Sequence, residues 1–321
     1  DTIESIFNES LIKMPLHPQA EAFLKSIADQ GAPGWDELPP DESRRIFSGF
    51  TNLFGHGPPL HHVEDLAIEG RLPIRTYRPS TNGKLPVVLY FHGGGWVLGN
   101  IETHDALCRH LAAISEAVIV SVDYRLAPES PFPAAFDDCL EATQYVVKHA
   151  DRLGVDPARI AVCGDSAGGN LAAAVALKIR DQAAFKLDSQ WLIYPVIEPN
   201  FESATYHMFA EDHGLTRHIM RWFWDQYVPG PADRQNPYAS PCTAETLEGL
   251  PYSHVVTAEY DVLRTEGENY AERLKDAQVP IDLIRYEGAL HGFMQFAEAF
   301  DDGKRAVKEL GLAMKKRFSN E

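Results

Sequence analysis

Cysteine is scarce in this chain, and long hydrophobic runs are missing. The four cysteines, Cys108, Cys139, Cys163 and Cys242, form no C-x-x-C pair and lie within apolar patterns. This predicts buried free thiols rather than disulfides or metal ligands, as expected in a reducing cytoplasm. The longest apolar stretch, 171–177, is far shorter than the roughly 18 residues that span a bilayer. No basic segment followed by an apolar run opens the chain, so no signal peptide is predicted and we expect a cytoplasmic protein.

Basic residues are also outnumbered. Lys and Arg total 29 against 46 Asp and Glu, which gives a formal charge of −17 over 321 residues. A surface this negative repels phosphate backbones and anionic lipid headgroups, so nucleic-acid and membrane partners are not expected. The composition, 45% hydrophobic and 23% charged, is that of an ordinary globular protein with a large core.

From about residue 60 onward, short apolar strands alternate with amphipathic helices. Buried strands are predicted at 86–91, 117–122, 159–163, 190–194, 253–257 and 281–286, after a hairpin formed by 63–68 and 72–77. Helices are predicted around Leu107 and Leu111, over 136–149, 167–179 and 266–277, and at the C-terminus, where Phe296, Phe300, Val307, Leu310, Met314 and Phe318 recur at helical spacing. This alternation predicts an α/β fold with a mostly parallel twisted sheet and helices on both faces.

Two segments depart from this alternation. Residues 1–50 read as helical, and residues 199–230 form an insertion in which Ile219, Phe223 and Tyr227 recur at helical spacing. Both are candidates for a helical cap over the carboxyl edge of the sheet, where open α/β sheets bind their ligands. The aromatic residues of the insertion are equally compatible with ordinary core packing. The predicted catalytic domain comprises residues 51–198 and 231–321.

The sequence Gly164-Asp165-Ser166-Ala167-Gly168 matches G-x-S-x-G. It directly follows a predicted strand and directly precedes a predicted helix, as a nucleophile elbow requires. In such a tight turn a bulky side chain at 164 or 168 would clash with neighbouring backbone. The pattern therefore predicts Ser166 as a nucleophile.

A glycine triplet follows another strand, in His92-Gly93-Gly94-Gly95-Trp96. Exposed backbone N–H groups in such a loop can stabilise the oxyanion that develops during acyl transfer. We expect donors from Gly93, Gly94 and the amide of Ala167. No Lys-Ser/Thr pair follows the triplet, which argues against a phosphate-binding loop.

The base and the acid should follow the nucleophile in the order acid, then histidine. Of the histidines after Ser166, His291 lies in the loop between the strand 281–286 and the last helix. The acid should follow the strand 253–257, which makes Asp261 the candidate and Glu259 the alternative.

Five further residues are expected to contact the substrate: Trp96, Asp165, Tyr194, Val262 and Leu263. Trp96 would form a bulky wall beside the oxyanion donors. His61 and His62 precede Glu64 and Asp65, but their spacing is not that of a metal site, and no metal is expected.

In order along the chain, these motifs resemble the blocks of the hormone-sensitive lipase family of bacterial esterases. The matching segments are 92–96 (HGGGW), 123–129 (DYRLAPE), 164–169 (GDSAGG), 261–267 and 291–293 (HGF). The resemblance covers most of the chain after residue 55 and implies an α/β-hydrolase fold with a cap. It also implies a triad of Ser166, Asp261 and His291, a preference for small acyl esters, and dimerisation through the last sheet strand. Val262 and Thr265 depart from the family pattern. Because both flank the predicted acid, the departure affects the expected shape of the pocket and not the expected mechanism.

The sequence thus predicts a serine esterase that hydrolyses short- to medium-chain carboxylic esters through an acyl-enzyme, without a cofactor. Two alternatives remain. A deacetylase or amidase acting on N-acetyl compounds would use the same groups. A small-molecule receptor of the same fold would have lost the base, and the presence of His291 in its motif argues against it.

Overall fold

Eight strands form one sheet in the computed structural model, which describes residues 14–31 and 33–319. The strands are β1 (His62–Ile68), β2 (Leu72–Arg78), β3 (Leu85–Phe91), β4 (Val118–Val122), β5 (Val155–Asp165), β6 (Ser189–Ile193), β7 (Tyr252–Tyr260) and β8 (Ile281–Leu290). Their order across the sheet is β1-β2-β4-β3-β5-β6-β7-β8. The β1–β2 and β2–β4 pairs are antiparallel, and every later pair is parallel. The α/β fold and the initial hairpin are as predicted.

Helices connect the strands and cover the sheet. They are α1 (Pro18–Gln30), α2 (Pro40–Ser48), α3 (Thr51–Phe54), α4 (Ile101–Ser115), α5 (Ala134–Lys148), α6 (Ala150–Leu153), α7 (Ala167–Gln182), α8 (Ala204–Met208), α9 (Arg217–Tyr227), α10 (Arg264–Asp276) and α11 (Asp301–Phe318). All residues of β4 and β6 are buried, so the centre of the sheet is covered on both faces. Helix α4 packs against α11, and α5 packs against α7.

The last helix begins later than its apolar spacing predicts. It starts at Asp301, so Phe296 and Phe300 lie in the segment before it. Phe296 stacks on Phe54 with ring centroids 5.7 Å apart. The apolar spacing before Asp301 therefore reflects packing against the N-terminal part of the chain rather than a longer helix.

The two predicted cap segments contain the helices α1 and α2 and the helices α8 and α9, joined by irregular stretches, while residues 1–13 and residue 32 lie outside the described part. Helix α1 begins after His17, whose Nδ1 accepts a hydrogen bond from the Gln19 amide. In the insertion, the Thr216 hydroxyl caps α9 by accepting from the Ile219 amide at 3.1 Å. The segments contact each other, because His218 Nε2 lies 2.8 Å from Asp36 Oδ2.

The thiols match the sequence-based prediction. All four cysteines are free; Cys108, Cys139 and Cys163 are buried, and Cys242 is partly buried. Among residues 14–31 and 33–319, no helix is long and apolar enough to cross a membrane.

Candidate active site

Ser166 lies in the tight turn that joins β5 to α7. Its backbone adopts φ 56° and ψ −118°, a strained conformation for a residue with a side chain. A Cβ on Gly168 would lie 1.9 Å from the carbonyl oxygen of Phe91, and a Cβ on Gly164 would lie 2.2 Å from that of Gly168. The two glycines therefore allow the backbone approach that exposes the serine at the carboxyl edge of the sheet.

His291 and Asp261 meet Ser166 from two other loops. His291 Nε2 lies 3.0 Å from Ser166 Oγ, and His291 Nδ1 lies 2.7 Å from Asp261 Oδ2. The other carboxylate oxygen of Asp261 accepts from the Leu263 amide at 2.9 Å. The ring of Tyr194 packs edge-on against the imidazole, 4.7 Å between centroids. The structure thus brings together the three side chains that the sequence selects.

Glu259, the alternative acid, faces a different group. It is buried, and its Oε2 accepts from the Gly288 amide at 2.8 Å. Its backbone carbonyl accepts from Arg264 Nη1. Glu259 thus joins β7, β8 and the start of α10, while Asp261 bonds His291.

The glycine-rich loop of residues 92–96, hereafter the oxyanion loop, differs from the prediction at Gly93. The Gly93 amide donates to Asp165 Oδ1 at 2.9 Å, so it is not free to face a substrate carbonyl. In residues 14–31 and 33–319, the amides of Gly94 and Gly95 donate to no protein acceptor. The amide of Ala167 is in the first turn of α7, where N–H groups lack a helical acceptor. Gly94, Gly95 and Ala167 are therefore the available donors.

Close packing explains why the oxyanion loop is made of glycine. Gly94 adopts φ 116°, and a Cβ there would lie 2.3 Å from the Leu98 carbonyl oxygen. A Cβ on Gly95 would lie 2.2 Å from the ring of Phe223 on α9. The insertion thus packs directly on the oxyanion loop, and Ser166 is only 7% exposed.

The five residues expected to contact substrate are all buried, each at most 1% exposed: Trp96, Asp165, Tyr194, Val262 and Leu263. Trp96 stacks on Tyr227 at 4.3 Å and meets Trp224 edge-on, so it anchors the insertion rather than forming a wall. The Val262 carbonyl accepts from the Thr205 hydroxyl at 2.8 Å. Asp165 lies beneath the oxyanion loop. The five side chains therefore pack behind the catalytic residues and are not exposed to a substrate.

Two buried polar groups beneath the oxyanion loop, His92 and Asp165, both have lowered pKa values, for different reasons. Burial lowers the pKa of His92 to about 3, and His104 adds to this effect, so His92 is neutral and its Nδ1–H donates to the Gly93 carbonyl at 2.8 Å. Burial alone would raise the pKa of Asp165, but the charge and hydrogen bond of His104 and the hydroxyl of Tyr90 outweigh it and lower that pKa.

Sequence reasoning missed part of this buried network. The Tyr124 hydroxyl donates to the His92 carbonyl at 2.7 Å, and its place in the 123–129 motif is a sequence signal. His104 and Tyr90 carry no such signal, because an ordinary helix and an ordinary strand bring them to the site. The described residues contain no group of three or more His, Cys, Asp or Glu that could hold a metal ion.

Comparisons with known proteins identify the family of the chain. Residues 88–295 match the family described as alpha/beta hydrolase fold. The carboxylic ester hydrolase LipN of Mycobacterium tuberculosis is 40% identical over 274 residues, which cover 82% of this chain and 73% of that protein. The arylesterase of Saccharolobus solfataricus is 36% identical over 285 residues, which cover 88% of this chain and 93% of that protein.

Solved structures of esterases share the fold of this chain. A thermostable esterase from Pseudomonas putida matches with a TM-score of 0.90 at 38% sequence identity, covering 95% of this chain and 98% of that chain. The family match spans more than half of the sequence and includes the nucleophile turn and the oxyanion loop. This chain therefore belongs to the α/β-hydrolase fold family.

Proposed function

We propose that this protein is a carboxylic ester hydrolase that works through an acyl-enzyme on Ser166. The observation that carries the proposal is the hydrogen-bonded series from Ser166 Oγ to His291 Nε2, at 3.0 Å, and from His291 Nδ1 to Asp261 Oδ2, at 2.7 Å. A nucleophile, a base and a group that orients the base within hydrogen-bond reach can perform acyl transfer. The relatives' names, carboxylic ester hydrolase and arylesterase, support esters as the substrate class.

In the first half-reaction, His291 Nε2 takes the proton of Ser166 Oγ as the oxygen attacks the ester carbonyl carbon. Asp261 keeps the proton of the neutral ring on Nδ1, so that Nε2 is free to accept, and stabilises the imidazolium that forms. When the tetrahedral intermediate collapses, the carbon–oxygen bond to the alcohol breaks and His291 protonates the leaving alcohol. In the second half, His291 activates a water that releases the acid from Ser166.

The oxyanion is stabilised by the amides of Gly94, Gly95 and Ala167. Gly95 replaces Gly93 in this assignment, because Gly93 donates to Asp165. Each preorganised donor lowers the barrier by about 3 kcal/mol, as judged from the loss of one such donor in other hydrolases. The mechanism requires no metal and no organic cofactor.

The substrate is proposed to carry a short acyl chain, under a cap formed by the described parts of the two predicted cap segments, residues 14–31, 33–50 and 199–230. Low exposure of Ser166 and the contact of Phe223 with Gly95 support a closed pocket. Overfilling such a site costs about 1–3 kcal/mol, which exceeds the roughly 0.8 kcal/mol gained from one more buried methylene.

A panel of p-nitrophenyl esters tests this proposal. The ratio kcat/KM should peak at acyl chains of about C2 to C8 and fall by several-fold per added carbon beyond the optimum. Faster hydrolysis of emulsified long-chain triacylglycerol than of soluble butyrate esters would overturn it.

We also propose a cytoplasmic location and a homodimer. The free, mostly buried thiols support a reducing compartment. Strand β8 is the last in the sheet order, and its Leu283 and Ile284 are 40% and 37% exposed. An edge strand with exposed apolar side chains can pair with a second copy of itself about a two-fold axis.

A further inference from the structure

Asp165 links the nucleophile turn to the oxyanion loop. It is the last residue of β5 and precedes Ser166 directly. Its Oδ1 accepts from the Gly93 amide at 2.9 Å. The buried side chain of Asp165 therefore connects the turn that carries the nucleophile to the loop that carries the proposed oxyanion donors.

Two further side chains, those of Tyr90 and His104, contact the carboxylate of Asp165. The Tyr90 hydroxyl on β3 donates to Asp165 Oδ1 at 2.7 Å. His104, on α4, has its Nε2 3.2 Å from Oδ1 and 3.4 Å from Oδ2. Tyr90, His104 and Asp165 are all buried, so these hydrogen bonds are shielded from bulk solvent.

The hydrogen bonds define where the proton of His104 lies. An ionised carboxylate can only accept, so Nε2 must carry a proton for the contact with Asp165 to be attractive. The Gly93 amide lies 3.3 Å from Nε2 but 2.9 Å from Asp165 Oδ1, so the carboxylate is its better acceptor. On the other side of the ring, Nδ1 lies 2.9 Å from the Thr103 hydroxyl, which can either donate or accept.

We infer that His104 donates from Nε2 to Asp165 and that this buried pair positions the oxyanion loop for catalysis. Both side chains are buried, at 1% exposure each, so both are assigned as positioning residues. Asp165 receives three donors, and the one from Gly93 fixes the backbone that continues into Gly94 and Gly95. This inference rests on the proposed ester hydrolase function.

Kinetics on matched variants test the positioning role. His104→Leu removes the donor, whereas His104→Gln retains a side-chain N–H. Because misplacement of a site by about 1 Å can cost about 100-fold, His104→Leu should lower kcat by about 10- to 100-fold. KM should change by less than about twofold. His104→Gln should recover most of the loss. His254, a buried histidine on β7, provides the control pair His254→Leu and His254→Gln, which should retain kcat.

Rates are expressed per active site titrated with a phosphonate, so a smaller folded fraction does not count as a loss of kcat. Binding of a trifluoromethyl ketone, whose serine adduct carries an oxyanion, should weaken in His104→Leu by the same factor as kcat/KM. An unchanged kcat per site, a rise in KM alone, or an equal loss in His254→Leu would overturn the inference.

A measurement on the wild-type protein does not depend on turnover. Long-range ¹H–¹⁵N spectra of protein labelled with ¹⁵N-histidine should give His104 Nε2 as a protonated nitrogen. A bare Nε2 in a neutral ring would contradict the inference even if His104→Leu did not fold. Absence of esterase activity in the wild-type protein would instead refute the proposed function and leave the spectrum as an independent test of the pair.

Discussion

At the scale of single residues, Asp261 and Glu259 lie two positions apart and bond different groups. Asp261 accepts from the imidazole of His291, while Glu259 accepts from the backbone of β8. Asp261→Asn should therefore lower kcat by about 10⁴-fold, because an amide favours the wrong tautomer of the base. Glu259→Gln should act mainly on stability. Steady-state kinetics on both purified variants decide between the two acids, and a larger loss of kcat in Glu259→Gln would reverse the assignment.

A buried histidine away from the active site predicts a pH dependence of stability. Burial lowers the pKa of His254 to about 4 from its usual 6.5, although Asp282 opposes the shift. Above about pH 6.5 the ring is neutral in both states. As the pH falls from 6.5 to 4, the unfolded chain takes up a proton that the folded protein does not. The free energy of unfolding therefore decreases, by about 1.4 kcal/mol per pH unit from this group.

Urea unfolding at pH 7.5, 6 and 5 measures this effect. His254→Gln should lose less stability between pH 7.5 and 5 than the wild type, by about 2 kcal/mol. His62→Gln, which removes an exposed histidine, is the control and should follow the wild type. Parallel curves for His254→Gln and the wild type would exclude the predicted contribution.

The residues of the triad could be predicted from the sequence, because each follows a strand in a short motif. The partner of the Gly93 amide could not be predicted. It is the side chain of Asp165, 72 positions later, and the direction of an amide in a glycine loop is set by tertiary packing. The burial of Trp96 depends similarly on Trp224 and Tyr227 of the insertion.

At the scale of secondary structure elements, the turn between β5 and α7 depends on small residues. Gly168→Ala would drive a Cβ into the Phe91 carbonyl at the end of β3 and would move the neighbouring oxyanion loop. We expect a loss of about 3 kcal/mol in the free energy of unfolding together with a large loss of kcat. Gly70→Ala is the control for an added methyl group without a clash, because a Cβ at Gly70 meets nothing within 4 Å, although Gly70 adopts φ 74°.

The control should cost about 1–2 kcal/mol from backbone conformation alone and should leave kcat unchanged. Urea unfolding and steady-state kinetics on both variants separate the two effects. A Gly168→Ala variant with wild-type kcat would contradict the account of the turn.

The elements themselves were predictable where the apolar pattern was continuous, as in β3, β4 and β6. Their ends were less so. Strand β5 begins at Val155, four residues before the predicted start at 159, although Asp156 and Pro157 interrupt the apolar pattern there. Pairing of Leu85 with Val155 across a register shift keeps this part in the sheet.

At the scale of the whole molecule, the free edge of β8 is the proposed contact between two copies. Leu283→Lys places a charge on this edge and should convert a dimer to a monomer, because an exposed charge disfavours edge pairing. Leu312→Lys is the matched control, since Leu312 is 49% exposed but lies on helix α11 and not on the edge strand. Sedimentation velocity at micromolar concentration should show dimers for the wild type and for Leu312→Lys. A monomeric wild type, or a dimeric Leu283→Lys, would refute the interface.

Covalent trapping is the direct test of whether Ser166 is the nucleophile. The wild-type protein is treated with a fluorophosphonate, digested, and its peptides are mapped by mass spectrometry, with Ser166→Ala and Ser203→Ala treated in parallel. One adduct is expected, on Ser166, formed with loss of all esterase activity. The adduct should be absent from Ser166→Ala and undiminished in Ser203→Ala. Inactivation with the label on another serine, or undiminished hydrolysis by Ser166→Ala, would contradict this assignment.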